Sequence, residues 1–555
     1  MAEHRTPSRS AWIRTATAAV LYILLTIANA PQLAARPDTR IGEHGDAYFS
    51  VWRLAWVAHQ LKTSPRHLFD ANIFYPEPRT LAYSDAMLLP ATVLAPFAWA
   101  GTPPLVVYNV CLLSTFVLNA LAAYVLVYRL VGSYAAGLLA GVIFGFSPYR
   151  FEHFDHLEMQ LSFWIPLAAL AWHRAVERQS VRDCLVVAAA VSAQILSCIY
   201  YGIFLVTSLG VLTALWFWRT PVRAVRAGTL MLFPAMVVFA LYSLPYLGNR
   251  SRVGDRPAGE IAGYSATLKD FVSAPATNRL YGWTDKFGVP ERHLFPGLVA
   301  AALLVVGLWP PLDRRRVVHA AGLLLALQLA LGTNGWIYGL LYEWVLPYRG
   351  LRVPARADIL ILLGTSVLAG YGIERVAARM ARWPRARPAV LALVVGMASA
   401  EYLSRPAVHH VDTYVSTWYR MLGTMPDAVV FEWPVTVPWR LGNMVDVLYM
   451  YRSTAHWRPL LNGYSGFYPQ SYIKLLIRVR SFPDRRSIAY LQQVGATVLV
   501  IHENRRSPAR FQRALERLAR DPKVQPLGTG VENGARVAFF RLLPPRAPAS
   551  ATAPR

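Results

Sequence analysis

Asp46, in Gly45-Asp46-Ala47-Tyr48, follows the first apolar stretch of the chain and opens a segment with helical spacing of aromatic and aliphatic residues. A carboxylate there has two uses. It can cap a helix N-terminus, satisfying orphan N–H groups and complementing the dipole, or it can serve as a general base towards a substrate hydroxyl. Asp85, in Tyr83-Ser84-Asp85-Ala86, lies in the same segment and offers the same pair of uses. The run from Pro148 to Gln160 is denser: His153 and His156 are three apart on one helix face, and Asp155 and Glu158 share the neighbouring face. Such a set can position a phosphate or hold a divalent cation. Its spacing is not a zinc signature, and interfacial histidines also serve as hydrogen-bonded structural residues.

A fourth group, Tyr348 to Asp358, offers Arg349, Arg352 and Arg356, whose planar donor forks suit a mono- or diphosphate. Lipid headgroups are the competing partner for such residues. Near the C-terminus, Trp433, Trp457, Tyr464, Phe467 and Tyr468 can form a sugar- or lipid-facing aromatic surface, or equally a core and docking contact. No phosphate-binding P-loop, dinucleotide fingerprint or nucleophile elbow stands in a strand-to-helix context.

The elements that must hold these groups are membrane helices. Of 555 residues 55% are hydrophobic and 16% charged, too apolar for a water-soluble chain of this length. Apolar stretches near 20 residues recur from Trp12 to Leu403 and then cease. The formal charge of +25 points to topology rather than nucleic acid, because many arginines sit in short segments between apolar spans. Only five of the 56 basic residues are lysine, a bias that a GC-rich genome also produces. The three cysteines lie in or beside apolar stretches without metal-ligand spacing.

Sorting loops by basic content places the N-terminus, 131–133, 173–182, 219–226, 313–316 and 375–387 in the cytoplasm. The segments 31–104, 147–160, 198–202, 248–293 and 332–355 then face outward, with about eleven spans in all. Trp12 to Ala30 reads as a signal anchor rather than a cleaved signal peptide. All four chemical groups fall on the outward side. Within 31–104, Tyr48 to Leu61 is expected to be a helix lying along the membrane interface, with a second helix from about Asp85 to Ala100. Residues 1–404 thus form an α-helical polytopic membrane domain that includes the loop 31–104. Residues 405–543 read as a small extracytoplasmic α/β domain, with strands near Ala428 to Phe431, Thr497 to His502 and Ala535 to Leu543 and a helix from Pro508 to Arg520. A disordered tail, 544–555, follows.

A first span followed by Gly45-Asp46 opening an outward helix resembles the first loop of GT-C integral-membrane glycosyltransferases. Leu351-Arg352-Val353-Pro354-Ala355-Arg356, the span through Gly370-Tyr371-Gly372, and the tail patches Leu461 to Gly466 and Val494 to Val500 are similar to the YfhO-like branch of that superfamily. The resemblance implies a bacterial inner-membrane enzyme that takes a sugar from a polyprenyl-phosphate donor in the bilayer. The sugar passes to an extracytoplasmic lipid, glycan or protein acceptor. It makes Asp46 the general base, with Asp85 as a second acid. It makes Arg352 and Arg356 stabilisers of the leaving phosphate, with Lys286 and Arg292 as weaker candidates. His153, Asp155, His156, Glu158, Arg349 and Tyr464 complete the substrate-binding set. The paired-acid motif of some members is missing, which leaves a divalent cation open as cofactor and no other implied.

Two rival readings remain at this stage. A lipid-linked glycan transporter or flippase predicts charged residues near span centres and paired repeats. A non-catalytic assembly protein predicts that Asp46 is replaceable.

Overall fold

The computed structural model describes residues 9–436, 444–503, 508–532 and 534–544, so all but the first residue of the expected tail 544–555 lies outside the described residues. Among the described residues five helices are long and apolar enough to cross a membrane: Trp12–Asn29, Pro104–Val131, Ile199–Trp216, Pro221–Val253 and Pro354–Arg382. Other helices between the basic segments are shorter, among them Trp164–Arg178, Val181–Ser197, Arg314–Ala330 and Arg387–Glu401.

Local chemistry explains several helix ends. Pro104 begins Pro104–Val131, where its missing N–H costs nothing, and Gly132 ends that helix in the left-handed region at φ 79°. Ser133 then caps Tyr134–Phe146 by accepting from the Ala136 N–H. In the bundle, Leu298–Leu308 crosses Asp358–Arg379 where Gly307 and Gly372 face each other's helix backbones. A Cβ on either would run into a carbonyl of the opposite helix, so only glycine permits this approach.

The segment after the first span does not lie free on a surface. Its helix, Gly45–Thr63, buries nearly every residue from Gly45 to Ala58. Trp52 is fully enclosed, stacked near Phe49 and Trp56, and donates its indole N–H to Asn72. A helix apolar on one side only would leave a solvated face; here the C-terminal domain covers that side. Helix Met444–Ser453 packs along it, and Tyr48 meets His409 and Tyr451. The second helix of the segment, Leu88–Trp99, starts three residues after Asp85.

Two backbone joints fix this arrangement. Strand β1, Arg40–Gly42, pairs antiparallel with β2, Val408–His410. The stretch Asn72 to Tyr75 exchanges backbone hydrogen bonds with Leu460 and Asn462. The C-terminal domain itself is built on a four-stranded mixed sheet in the order β3-β4-β6-β5, with β3 Val430–Trp433, β4 Val498–His502, β5 Val524–Glu532 and β6 Ala535–Leu542. Strands β3 and β4 are parallel and the other neighbours antiparallel. The two parallel strands, β3 at the edge and β4 beside it, are buried along their whole length, and β4 reads as an apolar run that stands out in the sequence. Strand β5, Val-Gln-Pro-Leu-Gly-Thr-Gly-Val-Glu, has little β propensity and is held by pairing with β6, which is why periodicity alone misses it.

Candidate active site

Asp46 stands in the first turn of Gly45–Thr63, two residues after His44, which holds the cap position. The Asp46 carboxylate is therefore not the cap, and its oxygens divide between two kinds of partner. Oδ2 faces His44 Nδ1 at 2.9 Å and His156 Nε2 at 3.1 Å, while Oδ1 accepts from the Tyr464 hydroxyl at 3.1 Å. Burial alone would raise this carboxyl, but His156 and His44 outweigh it and hold Asp46 well below the usual carboxylate range. The complement appears on His156: burial opposes its proton, yet Asp46, helped by Glu291, moves it up to about 9. The pair is thus an ion pair at neutral pH, and Oδ1 is the oxygen turned away from it.

Glu291 was not visible as a site residue in the sequence, where it is one acid in a Pro- and Gly-containing loop. Arg356 grips it with a two-pronged contact, Nε to Oε2 at 2.9 Å and Nη2 to Oε1 at 2.6 Å. His153 and His156 stand 3.8 and 4.0 Å from its oxygens. Burial would raise the Glu291 carboxyl, but Arg356 first, then His153 and His156, drive it far below its ordinary value. Its backbone lies at φ 73°, a conformation costly for a residue with a Cβ, and the N–H is held by Glu152 at 2.6 Å. Glu152 in turn meets His293 at 2.7 Å. An αL glutamate fixed from three sides leaves no motif in a sequence.

The remaining predicted residues separate by role. Asp85 accepts from the backbone N–H groups of Met87 and Ile199, so it caps two helix starts, one local and one distant. Burial nevertheless leaves its carboxyl raised to about 6. Glu158 is paired with the buried Arg53 at 2.7 Å. Asp155 accepts from the His44 N–H and sits where a Cβ on Gly42 would fall inside its carboxylate, so glycine at 42 gives it room. Burial raises Asp155 to about 6. His153 is buried, with neither ring nitrogen hydrogen-bonded.

Asp46, Asp85, His156, Glu158, Arg352, Arg356 and Tyr464 border one cavity of about 190 Å³. His153 and Asp155 stand behind its wall, touching His156 and His44 respectively. Arg349 lies apart: its guanidinium is taken by the carbonyls of Tyr342 and Glu343. Arg352 is half-buried and borders the cavity, with its Nε 4.0 Å from Glu260 and its guanidinium over the Tyr264 ring. Arg256 joins the wall unannounced by the sequence, donating to the Gly466 carbonyl and stacked 3.6 Å over Phe467. The stretch Tyr464 to Phe467 of the C-terminal domain thereby roofs the cavity.

His44 Nδ1, Asp46 Oδ2 and His156 Nε2 lie within 4.8 Å of one another, a two-imidazole, one-carboxylate set that suits a borderline divalent ion. The contacts of 2.9 and 3.1 Å are hydrogen-bond lengths, so a proton stands between each pair where a cation would go. A cation fits these donors by displacing those protons, and its binding would strengthen with pH.

Over 97% of the chain, the architecture matches the arabinofuranosyltransferase AftD from Mycobacteria with a TM-score of 0.56 at 15% identity. The chain spans 42% of that enzyme's length. An oligosaccharyltransferase of Archaeoglobus fulgidus matches at a TM-score of 0.43 and 12% identity, covering 88% of this chain and 69% of its own. ArnT from Cupriavidus metallidurans matches at 0.36 and 12%, covering 96% and 98%. The fold is GT-C-like, mostly helical with a small C-terminal mixed sheet. No curated protein sequence matches the chain. A family model described as a domain of unknown function matches residues 16–342, more than half of the sequence, and the chain belongs to that family, DUF6311.

Proposed function

We propose that this protein is a membrane glycosyltransferase that moves a sugar from a polyprenyl-phosphate-linked donor to a lipid, glycan or protein acceptor outside the cytoplasm. The observation that carries the reading is that Asp46, Arg352 and Arg356 border one cavity, with Asp46 Oδ2 paired to two histidines and Oδ1 covered by a tyrosine hydroxyl. An acceptor hydroxyl entering the cavity replaces Tyr464 on Oδ1. As it attacks the anomeric carbon, its proton passes to that oxygen while the bond to the donor phosphate breaks. The depressed basicity of Asp46 suits this timing, since the proton moves when alkoxide character has developed.

The phosphate gains charge as it leaves, so guanidiniums already aimed at it favour the transition state over the bound donor. Arg352 is the better placed for direct contact, and Arg356 acts with its donors shared with Glu291. His44, Asp46 and His156 would hold a divalent ion, which would supply further positive charge to the cavity.

The charge sorting of the loops supports about eleven spans in a bacterial inner membrane, with the N-terminus in the cytoplasm and the cavity and C-terminal domain outside. The short patches at 351–356, 461–466 and 494–500 support a place in the YfhO-like branch. Membranes containing the wild-type chain and radiolabelled polyprenyl-phosphate sugars should form a labelled acceptor that Asp46→Asn membranes do not. Undiminished transfer by a normally expressed Asp46→Asn variant would overturn the assignment. Translocation of a fluorescent lipid-linked sugar without a new glycosidic bond would favour a flippase instead.

A further inference from the structure

A second cavity, about 1070 Å³, opens between the helix Arg9–Asn29, the start of Tyr134–Phe146, the end of Asp358–Arg379 and the helix Arg387–Glu401. It lies towards the other end of the bundle from Asp46. The far ends of its two flanking helices meet on the Asp46 side, where Asn29 accepts from Ser404 shortly before β2 pairs with β1. We infer that this groove binds a phospholipid whose headgroup carries both a phosphate and a primary ammonium, that is, phosphatidylethanolamine.

The polar groups of the groove collect at one end and the apolar ones along its length. Arg14, Arg387 and Glu374 border the polar end, and Leu21, Leu391 and Val395 lie beyond. Seven residues separate Arg14 from Leu21 and eight separate Arg387 from Val395, about 10 to 12 Å of helix along which an acyl chain can lie. The slot is open rather than packed: a Cβ built on Gly396 would find no atom within 4 Å.

Charge selects the headgroup. Two guanidiniums provide forked donors for a phosphate. The Glu374 carboxylate borders the same end, and its Oε2 has no hydrogen-bond partner among the described residues, an acceptor lacking a donor. An ammonium on a two-carbon link to the phosphate supplies that donor. A choline headgroup has no N–H to offer, and a glycerol headgroup brings no positive charge to the carboxylate.

The test is retention of lipid by the full chain purified in detergent, stripped, and offered equal amounts of phosphatidylethanolamine, phosphatidylcholine and phosphatidylglycerol. Bound lipid is read by native mass spectrometry, independently of any sugar transfer. The wild type should keep one phosphatidylethanolamine with a preference of about tenfold over the other two, the size expected for one charged hydrogen bond. Glu374→Gln should abolish that preference, and Arg387→Gln should weaken all three lipids. Gly396→Leu, whose side chain enters open space and leaves packing intact, should lower retention of every lipid. Equal retention of the three by the wild type, a preference for phosphatidylglycerol, or unchanged phosphatidylethanolamine in Gly396→Leu would each overturn the inference. The last of these decides the matter even if Glu374→Gln fails to fold.

Discussion

The cavity around Asp46 and the interior of the C-terminal domain use the same side chains to opposite ends. In the domain, Glu432 on β3 accepts from the Tyr419 hydroxyl at 2.5 Å and meets His502 of β4 at 2.6 Å, while Arg452 pairs with Glu532 at 2.6 Å. Acid, histidine, tyrosine and arginine are all there, as they are around Asp46. Yet Glu432 is fully buried, and burial dominates His502, whose proton affinity falls despite the acid beside it. At Asp46, where 17% of the side chain remains exposed, the partner dominates and His156 rises to about 9. The contrast teaches that composition does not make a site. Charge kept at the wall of an open cavity can meet a substrate, whereas charge neutralised inside a sheet holds the sheet together.

The sharpest way to break this contrast is to remove one acid from each region. Asp46→Asn should lower transfer by about 10² to 10⁴-fold, the range of a lost general base, while the C-terminal domain stays as resistant to proteolysis as in the wild type. Glu432→Ala should do the reverse, destabilising the C-terminal domain by about 2 to 4 kcal/mol because the buried His502 and Tyr419 lose their shared acceptor. Limited proteolysis would show that loss as early clipping of the domain. If Glu432→Ala folds normally and loses transfer outright, the tail network belongs to the chemistry and the contrast fails.

Protonation sharpens the comparison next. His156 has a folded value raised to about 9 from an ordinary 6.5. Its contribution is therefore complete below pH 6.5 and is lost as pH rises through 9, on the order of 2 to 3 kcal/mol. Asp46 is lowered, so its share of the same pair is present above its ordinary value of 3.8 and fades only in acid. Unfolding temperature should decline between pH 6.5 and 9 in the wild type and lose that slope in Asp46→Asn. A flat wild-type profile would mean that the pair is not an ion pair.

The donor side comes third. Arg352→Gln should raise the KM for the lipid-linked donor about ten- to a hundredfold, the worth of charged hydrogen bonds to a phosphate. Arg349→Gln, whose original guanidinium serves two carbonyls of its own segment, should change it little. Equal effects at both positions would point to general attraction for lipid headgroups instead.

How far the sequence discloses this architecture differs by element. Pro104–Val131 announces itself by an apolar run long enough to cross a membrane, and β4 by the apolar run that burial on both faces requires. The helix Gly45–Thr63 is legible in its position, while its complete enclosure is not, since the tail that covers it begins more than 350 residues later. Among the site residues, Asp46 and His156 are visible as ionisable groups at apolar boundaries. Their contact is visible only in three dimensions, as is the difference between Arg349 and Arg352, three residues apart and facing different partners. Glu291 and Arg256 lie in loops whose course is set by tertiary hydrogen bonds, and no period or motif encodes those.

The smallest expected effect tests which oxygen of Asp46 does the work. Tyr464 gives Oδ1 one hydrogen bond from the C-terminal domain, an interaction worth about 1 kcal/mol. In Tyr464→Phe the ring still packs against Phe49, but Oδ1 no longer has to be uncovered before an acceptor hydroxyl reaches it. The KM for the acceptor should fall several-fold, with kcat nearly unchanged and the donor KM unaffected, because the Tyr464 hydroxyl bonds Asp46 and neither Arg352 nor Arg356. Two measured outcomes would contradict this. A hundredfold drop in kcat would make the Tyr464 hydroxyl a participant in proton transfer, and a rise in acceptor KM would make it a contact that the acceptor uses. Either result would move the boundary between the two regions, since a side chain of the C-terminal domain would then act on substrate rather than only cover the base.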